Sequence, residues 1–206
     1  MSDKKMHDIF GPGSNLEGRV FNNYDELFKI VDHCKGIGLK IVLTSGTYDL
    51  LHIGHSRYLE EAKKHGDVLI IGVDSDDKVQ SRKGPHRPIV GEKERLEILC
   101  HCRHVDLVFL KDKDVKRWHL IETVRPDVLI VTDRVYTEED LNSLRELDYC
   151  GNIIMLKSQA TTSTTARIRA ILVDPAEKIK SKLKDVIAEV CSFLDTLTGR
   201  DEGDNN

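Results

Sequence analysis

Residues 41–55 read Ile41-Val42-Leu43-Thr44-Ser45-Gly46-Thr47-Tyr48-Asp49-Leu50-Leu51-His52-Ile53-Gly54-His55. The apolar triplet that ends before Gly46 has the length and flanks of a buried strand. Two histidines three residues apart, at the start of the helix that follows, point the same way. A helix N-terminus adds unpaired backbone N–H groups and a partial positive charge. Gly46 lets a phosphate approach the backbone, and Gly54 removes bulk between the two imidazoles. Taken alone, the His52/His55 pair also fits surface histidines or metal ligands. Behind a strand and a Gly-Thr-aromatic-Asp turn, it reads as a site that holds a polyphosphate and stabilises charge developing in phosphoryl transfer.

Outward from this stretch the same alternation repeats. Val68–Val73, Val105–Leu110, Val128–Val131 and Ile153–Leu156 are further short apolar runs, making five with Ile41–Leu43. Helical patterns separate them. One begins at Asn23 with Leu27, Ile30, Val31 and Cys34; another runs from about Ser56 to His65. Leu96, Leu99 and Cys100 share a stripe, as do Val115, Trp118, Ile121 and Val124, with Pro126 ending that helix. Short apolar runs alternating with helices define α/β architecture, a parallel sheet covered on both faces. The expected fold is therefore a Rossmann-like parallel five-stranded sheet with helices on both faces, plus a C-terminal helix that Pro175 opens. That helix carries Ile179, Leu183, Val186, Ile187 and Val190 at helical spacing. The expected organisation is a lead-in and helix over 1–38, the main domain over 39–172, and a C-terminal helix with a polar tail over 173–206.

The chain has 206 residues, with 31 Lys+Arg against 35 Asp+Glu and a net charge of −4. The mildly acidic sum argues against a broadly basic nucleic-acid binder. No apolar run approaches the roughly 20 residues of a membrane span, and the first residues lack the apolar core of a signal peptide. Five cysteines, an odd number, read as reduced thiols and give a cytoplasmic expectation.

The stretch Gly46–His55 resembles the first signature of the HIGH-motif nucleotidyltransferase superfamily, in its cytidylyltransferase-like branch. Further similarities follow in order. Glu61–Asp67 resembles that branch's helix end and second-strand entry, and Val73-Asp74-Ser75-Asp76 the end of that strand. Lys83-Gly84-Pro85-His86-Arg87-Pro88-Ile89-Val90, then Glu94-Arg95-Leu96, resembles the basic loop and helix of heptose-phosphate adenylyltransferases. Ser163-Thr164-Thr165 resembles the late Ser-Thr-Thr signature. The similarity covers about Ile41 to Ile171.

The resemblance implies roles. His52 and His55 would bind nucleotide phosphates and stabilise the transition state, with Lys83 as a third catalytic group. Ser45, Gly46, Thr47, Asp49, Gly54, Lys63, Arg95, Ser163, Thr164 and Thr165 would form the nucleotide side. Asp74, Arg87, Thr132, Asp133 and Tyr136 would form the acceptor side. Plainer readings stand beside these: Ser163 as an ordinary helix cap, Lys83 and Arg87 as solvated loop charges. Two departures fall where base and acceptor are contacted. Thr132-Asp133-Arg134 replaces the usual Lys-Gly-Gly segment after the fourth strand, and Thr161 stands where a glycine usually precedes the serine.

The implied reaction is transfer of a nucleoside monophosphate, AMP from ATP, to a sugar phosphate such as a heptose 1-phosphate, with Mg²⁺ accompanying the triphosphate. Alternatives are CMP transfer from CTP to glycerol 3-phosphate or another phosphorylated alcohol, a FAD-type adenylyltransferase, and a non-catalytic nucleotide-binding module. No metal-ligand constellation of the protein's own is read; the spacing in Cys100-His101-Cys102-Arg103-His104 does not match a structural zinc site. A homodimer is expected, with neither nucleic acid nor membrane as partner.

Overall fold

The structure, a computed structural model, describes residues 16–132, 136–157 and 164–197; within the last segment, side chains are described at 171 and 178–197. In chain order the elements are α1 (Leu16–Arg19), β1 (Val20–Phe21), α2 (Tyr24–Gly36), β2 (Ile41–Gly46), α3 (Ile53–Lys63), β3 (Val68–Asp74) and α4 (Asp76–Lys83). Then come α5 (Glu92–Cys100), β4 (Leu107–Lys111), α6 (His119–Val124), β5 (Val128–Thr132), α7 (Glu138–Glu146), β6 (Asn152–Leu156) and α8 (Thr164–Leu197). Chain contacts divide the protein into two compact units, residues 1–161 and 162–206.

The sheet of the first unit is wholly parallel, in the order β1-β4-β3-β2-β5-β6. The expected α/β class, parallel sheet and two-sided helical cover are all present. The five expected runs are β2 to β6, but the sheet has six strands rather than five. The extra one, β1, pairs Val20 with Val108 and Phe21 with Phe109 at the edge. Two residues are too few to carry a period, so only the tertiary partner reveals this strand. The described part of the lead-in is tied to the sheet. Arg19 is buried, donating through Nη1 to the Cys100 carbonyl at 2.7 Å, through Nε to that of Asp106 at 2.9 Å, and through Nη2 to that of Val105. The Cys100–His104 stretch thus ends α5 and anchors the N-terminal segment, and burial raises the Cys100 thiol to about 11.

Alternation along each strand sorts the core into two layers. Ile41, Leu43, Val68, Ile70, Leu107, Phe109, Leu129 and Val131 face Leu27, Ile30 and Val31 of α2, Leu120 and Val124 of α6, and Leu144 of α7. Val42, Leu69, Ile71, Val73, Val108, Val128 and Ile130 face Leu59 and Ala62 of α3 and Leu96 and Leu99 of α5. Asn23 caps α2 through its side chain, accepting from the Asp25 and Glu26 N–H groups.

Two helices differ from expectation. Trp118 takes a left-handed φ of 70°, so α6 begins only at His119 and the Val115–Val124 stripe is not one helix. The last helix begins at Thr164 and continues through Pro175, rather than opening there. A proline removes one backbone donor, and 22 helical residues beyond it outweigh that local loss.

Candidate active site

The order of connections places a crevice before any motif is considered. From β2 the chain winds outward through α3, β3, α4, α5 and β4, then returns through α6 to β5 on the other side of β2. The winding reverses between β2 and β5, and ligands of open parallel sheets bind at the carboxyl ends of strands beside such a reversal. The β2 end is where Gly46 gives way to residues 47–55.

This turn is a built structure. Tyr48 and Leu50 adopt left-handed φ values of 54° and 48°. A Cβ on Gly46 would stand 3.0 Å from Cε2 of Tyr48, so glycine here admits the buried tyrosine ring against its own strand end. Asp49 is buried and strapped to a second loop: it accepts from the N–H groups of Ile89 and Val90 and pairs with Arg87 at 2.8 Å. Burial pushes the hydroxyls of Tyr48 and Tyr58 up, the latter to about 12, so both stay protonated.

His52 is the N-cap of α3. Its Nδ1 accepts from the Gly54 N–H at 3.1 Å, and Nδ1 of His55 accepts from the His52 N–H at 3.2 Å. The ring centroids lie 4.1 Å apart. A neutral imidazole that accepts at Nδ1 carries its proton on Nε2. A neutral ring bound in this way has Nε2–H as its remaining donor, at the start of a helix whose backbone adds its own donors.

Cations converge on Thr47 from α4. Lys83 Nζ and Arg82 Nη2 donate to Thr47 Oγ1 at 3.0 and 3.1 Å. Arg82 also pairs with Asp74 at 2.6 Å, and Lys111 pairs with Asp74 at 3.0 Å. Burial alone would raise the Asp74 carboxyl; Lys111 and Arg82 outweigh it and hold the group below the usual value. Desolvation, then the neighbouring Arg82 and Arg87, lowers the Lys83 ammonium, and desolvation and Lys111 lower Lys78. Burial is the larger cause for both lysines and the neighbouring cations add to it, so an anion placed beside them would favour their charged forms.

Ser45, Gly46, Thr47, Asp49, His52, Gly54, His55, Asp74, Lys83, Arg87 and Arg95 are thus gathered at the β2–β3 carboxyl ends, with Thr132 ending β5. Tyr136 follows, its ring stacked on Trp118 at 5.6 Å. Several are held by protein partners. Arg95 is fully buried: it donates to the carbonyls of Val90, Thr47 and Asp74 at 2.9, 2.6 and 2.9 Å and pairs with Asp76 at 2.7 Å. It holds the site's loops together from beneath. Asp74 is buried and neutralised by cations, and Arg87 pairs with Asp49 through Nη2.

Lys63 is not brought to this site. It ends α3, about 15 Å along the helix axis from Ile53, and pairs with Asp106 beside the amino end of β3. Ser163 and Asp133 lie outside the described residues, and Thr164 and Thr165 are described only as the first residues of α8. Arg82, Lys111 and Lys78 were missed. A signal existed for Lys111, which closes an apolar run at a strand's carboxyl end, where ligands bind in this architecture.

Residues 43–171 match the family model described as Cytidylyltransferase-like, and the chain belongs to that family. It is 40% identical over 151 residues to "Bifunctional protein HldE" of Geobacter metallireducens, covering 73% of this chain and 30% of that one. The protein of the same name from Aliarcobacter butzleri is 35% identical over 156 residues, covering 76% and 32%. The chain therefore spans about a third of the length of these curated relatives. Among solved structures it resembles the lipopolysaccharide core biosynthesis protein of Thermoplasma volcanium GSS1, with 30% identity and a TM-score of 0.51 over 59% of this chain and 98% of that one. Pantoate-beta-alanine ligase of Francisella tularensis, at 15% identity and TM-score 0.51 over 68% and 66%, shares the fold alone.

Proposed function

We propose that this protein is a nucleotidyltransferase that transfers AMP from ATP to a sugar phosphate, a heptose 1-phosphate being the first candidate, and releases pyrophosphate. The observation that carries this is the His52/His55 pair at a helix N-terminus, each ring accepting a backbone N–H at Nδ1 and so keeping Nε2 for its own donor. The acceptor phosphate, already anionic at pH 7, attacks the α-phosphorus in line. The bond from that phosphorus to the bridging oxygen breaks, and pyrophosphate leaves with the electron pair. No general base is needed. Positioning and charge neutralisation supply the acceleration. His52 and His55 donate to phosphate oxygens as charge moves onto the leaving group, with the Thr47-centred cations neutralising one end of the reacting pair.

Mg²⁺ is expected to arrive with the triphosphate. The described site carboxylates, Asp49 and Asp74, are engaged by Arg87, Arg82 and Lys111, so the nucleotide's own oxygens would hold the ion and neutralise charge there. The Lys83–Val90 loop, and the likeness to a Thermoplasma protein named for lipopolysaccharide core biosynthesis, support a sugar phosphate over a smaller alcohol. Soluble substrates of this kind suit a cytoplasmic enzyme; no described helix is long and apolar enough to cross a membrane.

Incubation with ATP, Mg²⁺ and a pool of phosphorylated sugars and polyols should release pyrophosphate, and fractionating the pool would identify the acceptor. Absence of release with either ATP or CTP across the pool would leave a nucleotide-binding module instead. Base preference should appear as a larger rise in melting temperature with ATP than with CTP. A hundredfold excess over Kd stabilises the native state by about 2.7 kcal/mol, so the difference is measurable. A larger shift with CTP would transfer the assignment to cytidylyl transfer.

A further inference from the structure

Helix α8, taken by itself, carries an exposed apolar seam. Ile179, Leu183, Val186, Val190, Phe193 and Leu197 are spaced four, three, four, three and four residues apart, and their exposures run from 52% to 67%. A strict alternation of four and three has a period of 3.5, the repeat that keeps one helix face against a partner in a left-handed supercoil. In that repeat Leu183, Val190 and Leu197 occupy a positions, and Ile179, Val186 and Phe193 occupy d positions. Ile187, also exposed, broadens the stripe. Exposed contiguous apolar surface of this length marks an interface.

Charge along the same helix is segregated. Along the seam, Lys178, Lys180, Lys182 and Lys184 crowd the first half, with Asp185 among them and Glu177 just before them, whereas Glu189 and Asp195 occupy the second half, which has no basic residue up to Leu197. Two copies laid parallel would set eight lysines together within about one Debye length. Laid antiparallel, the lysine-rich end of each copy meets the end of the other that carries Asp195, while Glu189 lies beside the two-fold axis. The seam itself is compatible with that reversal. A fold-over about the midpoint sets Leu183 level with Phe193, Val186 with Val190, and Ile179 with Leu197, so every apolar layer is filled. Such a pair has a two-fold axis across the helices and is closed.

We propose that α8 pairs with α8 of a second copy of this chain, antiparallel, along the Ile179–Leu197 seam. It is a homotypic interface built from one helix and independent of the catalytic reading above.

Sedimentation equilibrium on the full chain should give about twice the 23.4 kDa of one copy, and Leu183→Asp with Val190→Asp should return it to the single-chain mass. Orientation is read by disulfide trapping in a Cys191→Ser background, which removes the native exposed thiol. Antiparallel pairing sets residue 182 across from residue 196. Mixing Lys182→Cys chains with Thr196→Cys chains should therefore give the mixed disulfide. In a parallel pair residue 182 would sit beside residue 187, and Lys182→Cys would trap Ile187→Cys instead. A monomer at all concentrations, or trapping at 187 rather than 196, overturns the proposal. The trapping result stands even if the double aspartate variant fails to fold.

Discussion

Replacing His55 by alanine is expected to lower the rate of pyrophosphate release by about 10²–10³-fold, the usual cost of deleting one donor aimed at developing charge. The loss should appear in kcat more than in KM, because the Nε2–H does most as charge moves onto the leaving pyrophosphate. Stability should fall far less. The alanine also removes the Nδ1 that accepts from the His52 N–H, a cap interaction worth about 1 kcal/mol. His55→Asn separates the two effects, since its short amide can replace the Nδ1 acceptor without extending a donor to the Nε2 position. Full turnover in the asparagine variant would sink the assigned role for the imidazole. A loss equal to that of alanine, at near-native melting temperature, would support it.

The second large effect concerns a residue with no expected ligand contact. Arg95→Met should destabilise the protein by about 3 kcal/mol, because it takes the cation from Asp76 and a charged donor from three backbone carbonyls around a fully buried position. Asp76 is a third exposed and retains some hydration, which puts the expectation at the lower end of the range for a broken buried pair. For a domain of this size, that corresponds to a melting temperature lower by roughly 6–12 °C. Nucleotide affinity should fall with it, since Arg95 holds the Thr47 carbonyl at 2.6 Å. Arg95→Lys should recover little, as a single ammonium cannot serve four acceptors spread around a planar fork. A melting temperature within a degree or two of wild type would show that the loops hold themselves.

These two residues mark what could be read from the chain alone and what could not. The histidine pair was legible because its geometry is local: three residues on a helix start, with both ring orientations set by backbone donors within the same turn. The strand runs were legible for a similar reason, since burial on both faces leaves near-continuous apolar segments. Arg95 and Lys63 were not. Each is a cation on a helix near matching motifs, and the sequence around each is equally compatible with solvent, phosphate or a carboxylate partner. Arg95 meets Thr47, 48 residues away, only once α5 lies on β3 and β4. Lys63 is carried to the far end of α3, where Asp106 takes it.

Gly46 shows the same division within a single residue. A glycine after a strand and before a histidine pair signals close approach, and the residue that approaches is the Tyr48 ring of the same loop. The sequence by itself therefore determined the alternating α/β plan, the strand-to-helix turn and the two imidazoles, all products of contacts within about a dozen residues. The tertiary structure alone decided the sixth strand, the cluster of Arg82, Lys83 and Lys111 around Thr47 and Asp74, and the burial of Arg95. Those depend on which strand ends are neighbours, and that follows from packing whole layers together, a property no short stretch of sequence carries.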